Sequence, residues 1–80
     1  MTGQDRALSI IANEIRHDWT KVNYAAEPYL EAMEVLNSIK DMYYFDTAVS
    51  VVLYFLSNSE TWHGEVAKRI KKELHHMADR

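Results

Sequence analysis

The residues best suited to chemistry are two carboxylate and imidazole pairs, Glu14-x-x-His17 and Glu73-x-x-His76. This spacing places metal ligands on one helix face in di-iron carboxylate bundles. At 100° per residue, however, Glu14, His17 and His76 lie about 110–180° from the apolar stripes of their helices and point outward. The expected third helix also has no acid beyond Asp46 to bridge two metal ions. The sequence therefore predicts no metal site, and we expect these pairs to lie on solvated helix faces.

Other catalytic signatures are also missing from the sequence. There is no cysteine, and Gly3 and Gly64 are the only glycines, so thiol chemistry and glycine-rich phosphate loops are excluded. His63 falls in the first turn of the last predicted helix, where the helix dipole disfavours imidazolium. We expect a neutral, packed histidine there in preference to a catalytic base, and we expect Gly64 to permit close helix approach. The sequence predicts no enzyme and no cofactor.

Basic residues are concentrated near the end of the chain. They are Lys68, Arg69, Lys71 and Lys72, with Arg80 beyond them. A basic helix face is the electrostatic footprint that nucleic-acid binding needs. The whole chain carries a net charge of −3, however, and Glu65 and Glu73 dilute the face. Binding to DNA is therefore the alternative function, less favoured than a solvated helix face.

The segment Met42-Tyr43-Tyr44-Phe45 contains more large side chains than a simple connection requires. Exposed aromatic residues commonly anchor protein interfaces. Two interpretations remain open from the sequence. The aromatic side chains either project into solvent as a contact surface or fold under the helices as a lid.

Four segments with helical spacing of apolar residues must position these groups. The first is expected over residues 5–21, and the second from about residues 25–27 to near residue 38, with Pro28 in its first turn. The third is expected over residues 47–56 with Asp46 as its N-cap. The fourth follows a polar break at residues 57–60 and runs to about Met77. Short links between four helices favour an antiparallel bundle.

The third segment is the ambiguous one, because its β-branched and aromatic residues also suit a buried strand. No other segment is predicted to be a strand that could pair with it, so we expect a helix. This helix is apolar on two faces. One face comprises Ala48, Val51, Tyr54 and Phe55, and the other comprises Val49, Val52, Leu53 and Leu56. Because a surface helix normally buries one stripe, a second copy of the chain is expected to cover the second face.

Length and composition set the broad class. The chain has 80 residues, of which 48% are hydrophobic and 26% charged, as in an ordinary folded domain. No secretory leader is recognised, and the longest apolar run, residues 51–56, is too short to span a bilayer. We therefore expect one all-α domain over residues 1–80, located in the cytoplasm and without membrane contact.

Several short segments resemble a group of uncharacterised helical proteins encoded by phages and mobile elements of Gram-positive bacteria. They are Asp18-Trp19, Pro28-Tyr29-Leu30-Glu31-Ala32-Met33, Tyr54-Phe55-Leu56, Trp62-His63-Gly64-Glu65-Val66-Ala67 and Lys72-Glu73-Leu74. The resemblance covers roughly residues 8 to 75 and implies a small accessory role in the host cytoplasm. It carries over no activity, ligand or functional residue.

The sequence thus predicts a non-enzymatic helical module that binds a second copy of itself or another protein. The predicted contact residues are Tyr43, Tyr44, Phe45, Val49 and Leu53. The alternative is a small DNA-associated protein that uses Lys68, Arg69, Lys71 and Lys72.

Overall fold

The first helix owes its position to tertiary contacts as much as to its own sequence. The computed structural model describes residues 5–79, and in it α1 spans Leu8–Asp18. No side chain caps its start; instead the backbone N–H groups of Leu8 and Ser9 donate to Asn37 O and Leu36 O, at 3.1 and 2.8 Å. The helix is shorter at both ends than the predicted 5–21. It begins at Leu8 and ends at Asp18, and the next residue, Trp19, is buried in the core.

Helix α2 spans Glu27–Met33, with Pro28 in its first turn as predicted. It ends five residues before the expected position near residue 38. Leu36 and Ile39 keep their apolar spacing and are buried, but they lie in irregular chain after the helix. The apolar spacing therefore predicted the burial of these residues correctly but their helical conformation incorrectly. The carbonyl oxygens of Leu36 and Asn37 accept hydrogen bonds from the start of α1.

A two-stranded antiparallel sheet follows, formed by β1 (Met42–Tyr43) and β2 (Asp46–Thr47). Met42 pairs with Thr47, and Tyr43 pairs with Asp46. The described part of the chain is thus mostly helical, with four helices and one small sheet. The all-α prediction is wrong in this segment, because its aromatic residues and Thr47 favour extended backbone and the paired residues are only three to five positions apart.

Residues 48–57 form helix α3 (Ala48–Ser57), which confirms the choice of helix over strand. Its N-cap is Thr47, not Asp46: Thr47 Oγ1 accepts a 3.1 Å hydrogen bond from Ser50 N. The predicted division of α3 into two faces is wrong at two positions. Val52, assigned to the face for a second copy, is buried within this chain, whereas Tyr54 is about half exposed and packs on Tyr29 with ring centroids 5.3 Å apart.

Helix α4 spans Glu65–Ala78 and begins later than the predicted break at residues 57–60. Gly64 precedes it with φ +108°, a conformation that other residues rarely adopt. A Cβ at this glycine would meet nothing within 4 Å, so backbone conformation, not the expected close helix approach, is what glycine supplies. His63 lies before the helix and is exposed, so the prediction of a packed histidine is wrong.

Helices α1 and α3 each pack against both α2 and α4. At the centre, the indoles of Trp19 and Trp62 stack with centroids 5.6 Å apart and planes 9° apart. Phe55 meets both indoles edge-on, at 6.1 and 6.2 Å. No helix within residues 5–79 combines the length and the apolar character needed to cross a membrane.

Candidate protein-interaction surface

Tyr44 and Phe45 form the tip of the hairpin between β1 and β2. Phe45 is 99% exposed and Tyr44 is 83% exposed, whereas Tyr43 is half-buried against the core. The ring of Tyr43 also meets the ring of Tyr44 edge-on, with centroids 4.8 Å apart. Each of the two interpretations left open by the sequence thus holds for part of the segment. Tyr43 packs against the core, and Tyr44 and Phe45 project into solvent.

The base of the hairpin is held by Asp41. Its Oδ2 atom accepts hydrogen bonds from the backbone N–H groups of Asn37 and Ser38, at 3.1 and 2.9 Å. Its carbonyl oxygen accepts from Ala48 N, the first residue of α3, at 2.9 Å. The hairpin is therefore tied at its base to the preceding turn and to the following helix. Asp41 was not among the predicted site residues; the available signal was Ser38-x-x-Asp41, a capping-box spacing in which the acidic side chain accepts from the backbone N–H three residues earlier.

Tyr44 has φ +57°, a positive value found at no other non-glycine residue among those described. It is the first of the two central residues of a two-residue hairpin loop, a position that glycine commonly takes. A side chain with a Cβ pays a steric cost of about 1–2 kcal/mol in left-handed backbone. A large aromatic residue therefore lies where folding alone favours glycine.

The other two predicted interface residues lie on α3, one helical turn apart. Val49 is half-buried, and Leu53 is 42% exposed. Because residues four apart share a helix face, the two side chains form a short, partly covered strip. The predicted interface is therefore divided into an exposed hairpin tip and this strip.

An open groove of about 800 Å³ lies beside the hairpin, and we call it the hairpin groove. Its apolar lining comprises Ile39, Val49, Met77 and Ala78, and its polar lining includes Arg6, Lys40, Asp41 and Thr47. Within this lining Ile39 and Met77 are buried, whereas Lys40 is exposed. Because Thr47 belongs to β2, the groove and the hairpin are adjacent. Of these lining residues, only Val49 was predicted from the sequence as a site residue.

The basic residues of α4 do not form one free face. Lys71 Nζ donates to the carbonyl oxygens of Ser59 and Trp62, at 2.8 and 2.7 Å, and lies 5.8 Å from the centroid of a Trp62 ring. Arg69 donates to the Glu14 carboxylate. Lys68 and Lys72 are exposed. Arg80 lies outside the described residues.

The glutamates of the two predicted carboxylate and imidazole pairs bind arginine side chains. Arg6 reaches Glu14 Oε1 at 2.9 Å and both carboxylate oxygens of Glu73, at 2.8 and 2.9 Å. Hydrogen bonds from Arg69 and then Arg6 hold the pKa of Glu14 below its usual range. The hydrogen bonds to Glu73 and Glu14 raise the pKa of Arg6. Both glutamates are half-buried, and their arginine partners, distant in sequence, were not predicted from helix spacing.

His17 also makes a local contact, since its Nδ1 atom lies 2.9 Å from Asn13 O. Within residues 5–79, no three histidine, aspartate or glutamate side chains come together as a metal-binding group.

No protein-family model matches the chain, and no curated protein or solved structure is detectably similar to it.

Proposed function

We propose that the protein is a non-enzymatic interaction module that binds a partner protein by inserting Tyr44 and Phe45 into an apolar site. The observation that carries this proposal is the exposure of both side chains, 83% and 99%, on an anchored hairpin. Aromatic side chains of this size bury about 150–250 Å² each and dominate interface energetics. Phe45 contributes almost nothing to packing within its own chain. Burying its ring against a partner therefore removes apolar surface from water without breaking contacts inside the chain.

The anchoring of the hairpin supports the proposal, because binding then requires little ordering of the chain. Asp41 and Thr47 fix its base and the following helix end before any partner arrives. A contact surface that is ordered in advance loses less conformational entropy on association. The positive φ of Tyr44 is further support, since backbone strain of this kind is typical of functional segments.

The contacts of α4 support protein binding over the alternative of DNA binding. Lys71 satisfies two backbone carbonyls and Arg69 pairs with Glu14, so both groups would have to break contacts to reach phosphates. Each phosphate contact contributes separately to affinity for DNA, and a face reduced mainly to Lys68 and Lys72 offers few. The net charge of −3 adds long-range repulsion.

Site-specific photo-cross-linking tests this proposal. Phe45 and, as the matched control, Tyr24 are each replaced by p-benzoylphenylalanine in a Gram-positive bacterial host, the setting implied by the sequence resemblance. Tyr24 is 94% exposed, and its neighbour Asn23 bonds to Asn58 O at the end of α3 opposite the hairpin. We expect a discrete adduct with the probe at position 45 that is absent with the probe at position 24. Mass spectrometry then identifies the cross-linked peptide.

The adduct should also weaken when unlabelled wild-type protein, but not unlabelled Phe45→Ala, is expressed in excess. Adducts of equal pattern and intensity from positions 45 and 24 would contradict the proposal, because they would reflect exposure alone.

A further inference from the structure

We infer that the partner is a second copy of this chain and that each copy places its Phe45 in the hairpin groove of the other. This inference rests on the proposed function and names the partner and the receiving site. The groove and the hairpin share Asp41 and Thr47 at their common border. Because they are adjacent, two copies related by a twofold axis can exchange both contacts at once. Such an exchange gives a closed dimer and not an open chain of molecules.

The groove is large enough for the hairpin tip, and part of its lining is apolar. A volume of about 800 Å³ accommodates an aromatic side chain with its neighbouring backbone. Its apolar lining consists of Ile39, Val49, Met77 and Ala78, and Ile39 and Met77 are buried. Thioether and aliphatic side chains of this kind adapt well to an aromatic ring. Phe45 is the apolar residue of the tip, and its 99% exposure leaves the whole ring for this contact.

The area of a reciprocal contact agrees with what a stable dimer requires. Tyr44 and Phe45 together offer about 300–500 Å² on each copy, and the receiving surface loses a similar area. One hairpin in one groove therefore buries about 600–1,000 Å² in total, which is below the usual size of a specific interface. Two such contacts bury about 1,200–2,000 Å², which is the standard range. The buried area thus favours mutual insertion over a one-sided contact.

The groove lining carries charges of both signs, with Asp5 and Lys40 exposed and Arg6 and Asp41 half-buried, and Lys40 is the exposed group that complements the acid beside the tip. This acid is Asp46, which directly follows Phe45 and is exposed. When Phe45 enters the partner groove, Asp46 approaches the lysine at position 40 of that copy. Opposite charges at an interface edge set the orientation of docking and suppress other arrangements.

The test measures the oligomeric state of the purified full chain by size-exclusion chromatography with light scattering, over a hundredfold range of concentration. We expect wild-type protein to change from the mass of one chain to that of two. Phe45→Ala should raise the dimer Kd at least about a hundredfold, since each dimer loses two buried aromatic rings. Tyr24→Ala is the matched control and should leave the Kd unchanged.

Variants of the groove test the receiving site separately. Ala78→Arg and Val49→Arg place a long side chain in the groove from two different helices, and both should give monomers. Val49→Ala leaves the groove open and should still dimerise. Circular dichroism checks that each variant is folded. An equimolar mixture of Phe45→Ala and Ala78→Arg should associate more tightly than either variant alone but more weakly than wild type, because one of the two contacts, an intact hairpin in an intact groove, remains.

A second measurement needs no groove variant. With p-benzoylphenylalanine at position 45 of the purified protein, the cross-linked peptides should contain Ile39, Val49 or Met77 of another copy. A wild-type monomer at every concentration would overturn the inference, while an adduct to a different protein in cells would still support the proposed function. Dimers lost in Phe45→Ala but kept in both groove variants would also overturn it, by showing that hairpin meets hairpin. An association insensitive to Phe45→Ala would place the dimer contact elsewhere and overturn it as well.

Discussion

Trp62 Nε1 donates a 2.8 Å hydrogen bond to Asp18 Oδ2, across 44 positions of sequence. Asp18 is the last residue of α1, and Trp62 lies in the loop before α4. The next residue, Trp19, stacks on the same indole. The end of α1 is therefore attached to this loop by one polar and one aromatic contact. The polar contact supplies a partner for an indole N–H on a side chain that is otherwise buried.

Replacing this acceptor should destabilise the fold. We expect Asp18→Ala to lower the free energy of unfolding by about 1–3 kcal/mol, because the indole N–H loses its partner. Asp18→Asn keeps an acceptor oxygen and should lose less. Urea denaturation followed by tryptophan fluorescence measures both, with Glu60→Ala at an exposed position as control. Equal stability of Asp18→Ala and the control would show that water replaces the carboxylate without cost.

Lys71 should be a structural residue and Lys72 a solvated one. We expect Lys71→Ala to lower the free energy of unfolding by about 1.5–3 kcal/mol, since two carbonyl oxygens lose a charged donor. Lys72→Ala removes the same side chain from an exposed position and should change stability by less than about 0.5 kcal/mol. Thermal denaturation compares the two. Lys71→Met retains most of the apolar stem, so its stability separates the hydrogen bonds from the packing. Indistinguishable melting temperatures for Lys71→Ala and Lys72→Ala would contradict this role.

Acid should weaken the contacts between Arg6, Glu14 and Arg69. The pKa of Glu14 is lower in the folded protein than its ordinary value of 4.5. The carboxylate therefore stabilises the fold at pH values above 4.5, and this contribution is lost as the pH falls through the lowered folded pKa. We expect Glu14→Gln to be less stable than wild type at pH 7 and to lose less stability on acidification below pH 4.5. Urea midpoints at a series of pH values measure the difference, with Glu60→Gln as control. Parallel pH profiles for wild type and Glu14→Gln would contradict the assignment.

The positive φ of Tyr44 should reverse the usual order of alanine and glycine. We expect Tyr44→Gly to be more stable than Tyr44→Ala by up to about 1 kcal/mol, because only glycine adopts this backbone without a steric cost. Both variants remove the aromatic ring, so the comparison isolates the backbone. Thermal denaturation in a Phe45→Ala background excludes any contribution from association. Greater stability of the alanine variant would mean that the loop relaxes to negative φ.

The helical class and the identity of most buried residues could be predicted from the sequence. Spacing of three and four residues marked the buried stripe of α1 at Ile11 and Ile15 and that of α4 at Ile70 and Leu74, and all four are fully buried. A periodic apolar pattern specifies which side of a helix avoids water, whichever neighbour covers it. Composition also identified residues 42–45 as unusual, since they include more large side chains than a connection needs.

Helix ends were not predictable in this way, because they depend on partners distant in sequence. The chain after Met33 keeps an apolar rhythm, yet its carbonyls bond to the start of α1 instead of continuing α2. Trp62 fits the stripe of α4 by spacing but lies in the preceding loop, where Trp19 and Lys71 hold it. Local spacing contains no information about these long-range contacts.

The roles of the charged residues and the exposure of the aromatic tip were likewise decided by the tertiary structure. Arg6 and Glu73 are 67 positions apart and form two hydrogen bonds, which no local motif indicates. The sequence left Tyr44 and Phe45 equally compatible with a lid and with an exposed surface. A two-residue turn between β1 and β2 directs them into solvent, because the paired strands and the contacts of Asp41 leave the tip no path back to the core. The sequence by itself determined that this connection contains large aromatic side chains. The pairing of β1 with β2 determined which of them are exposed to solvent.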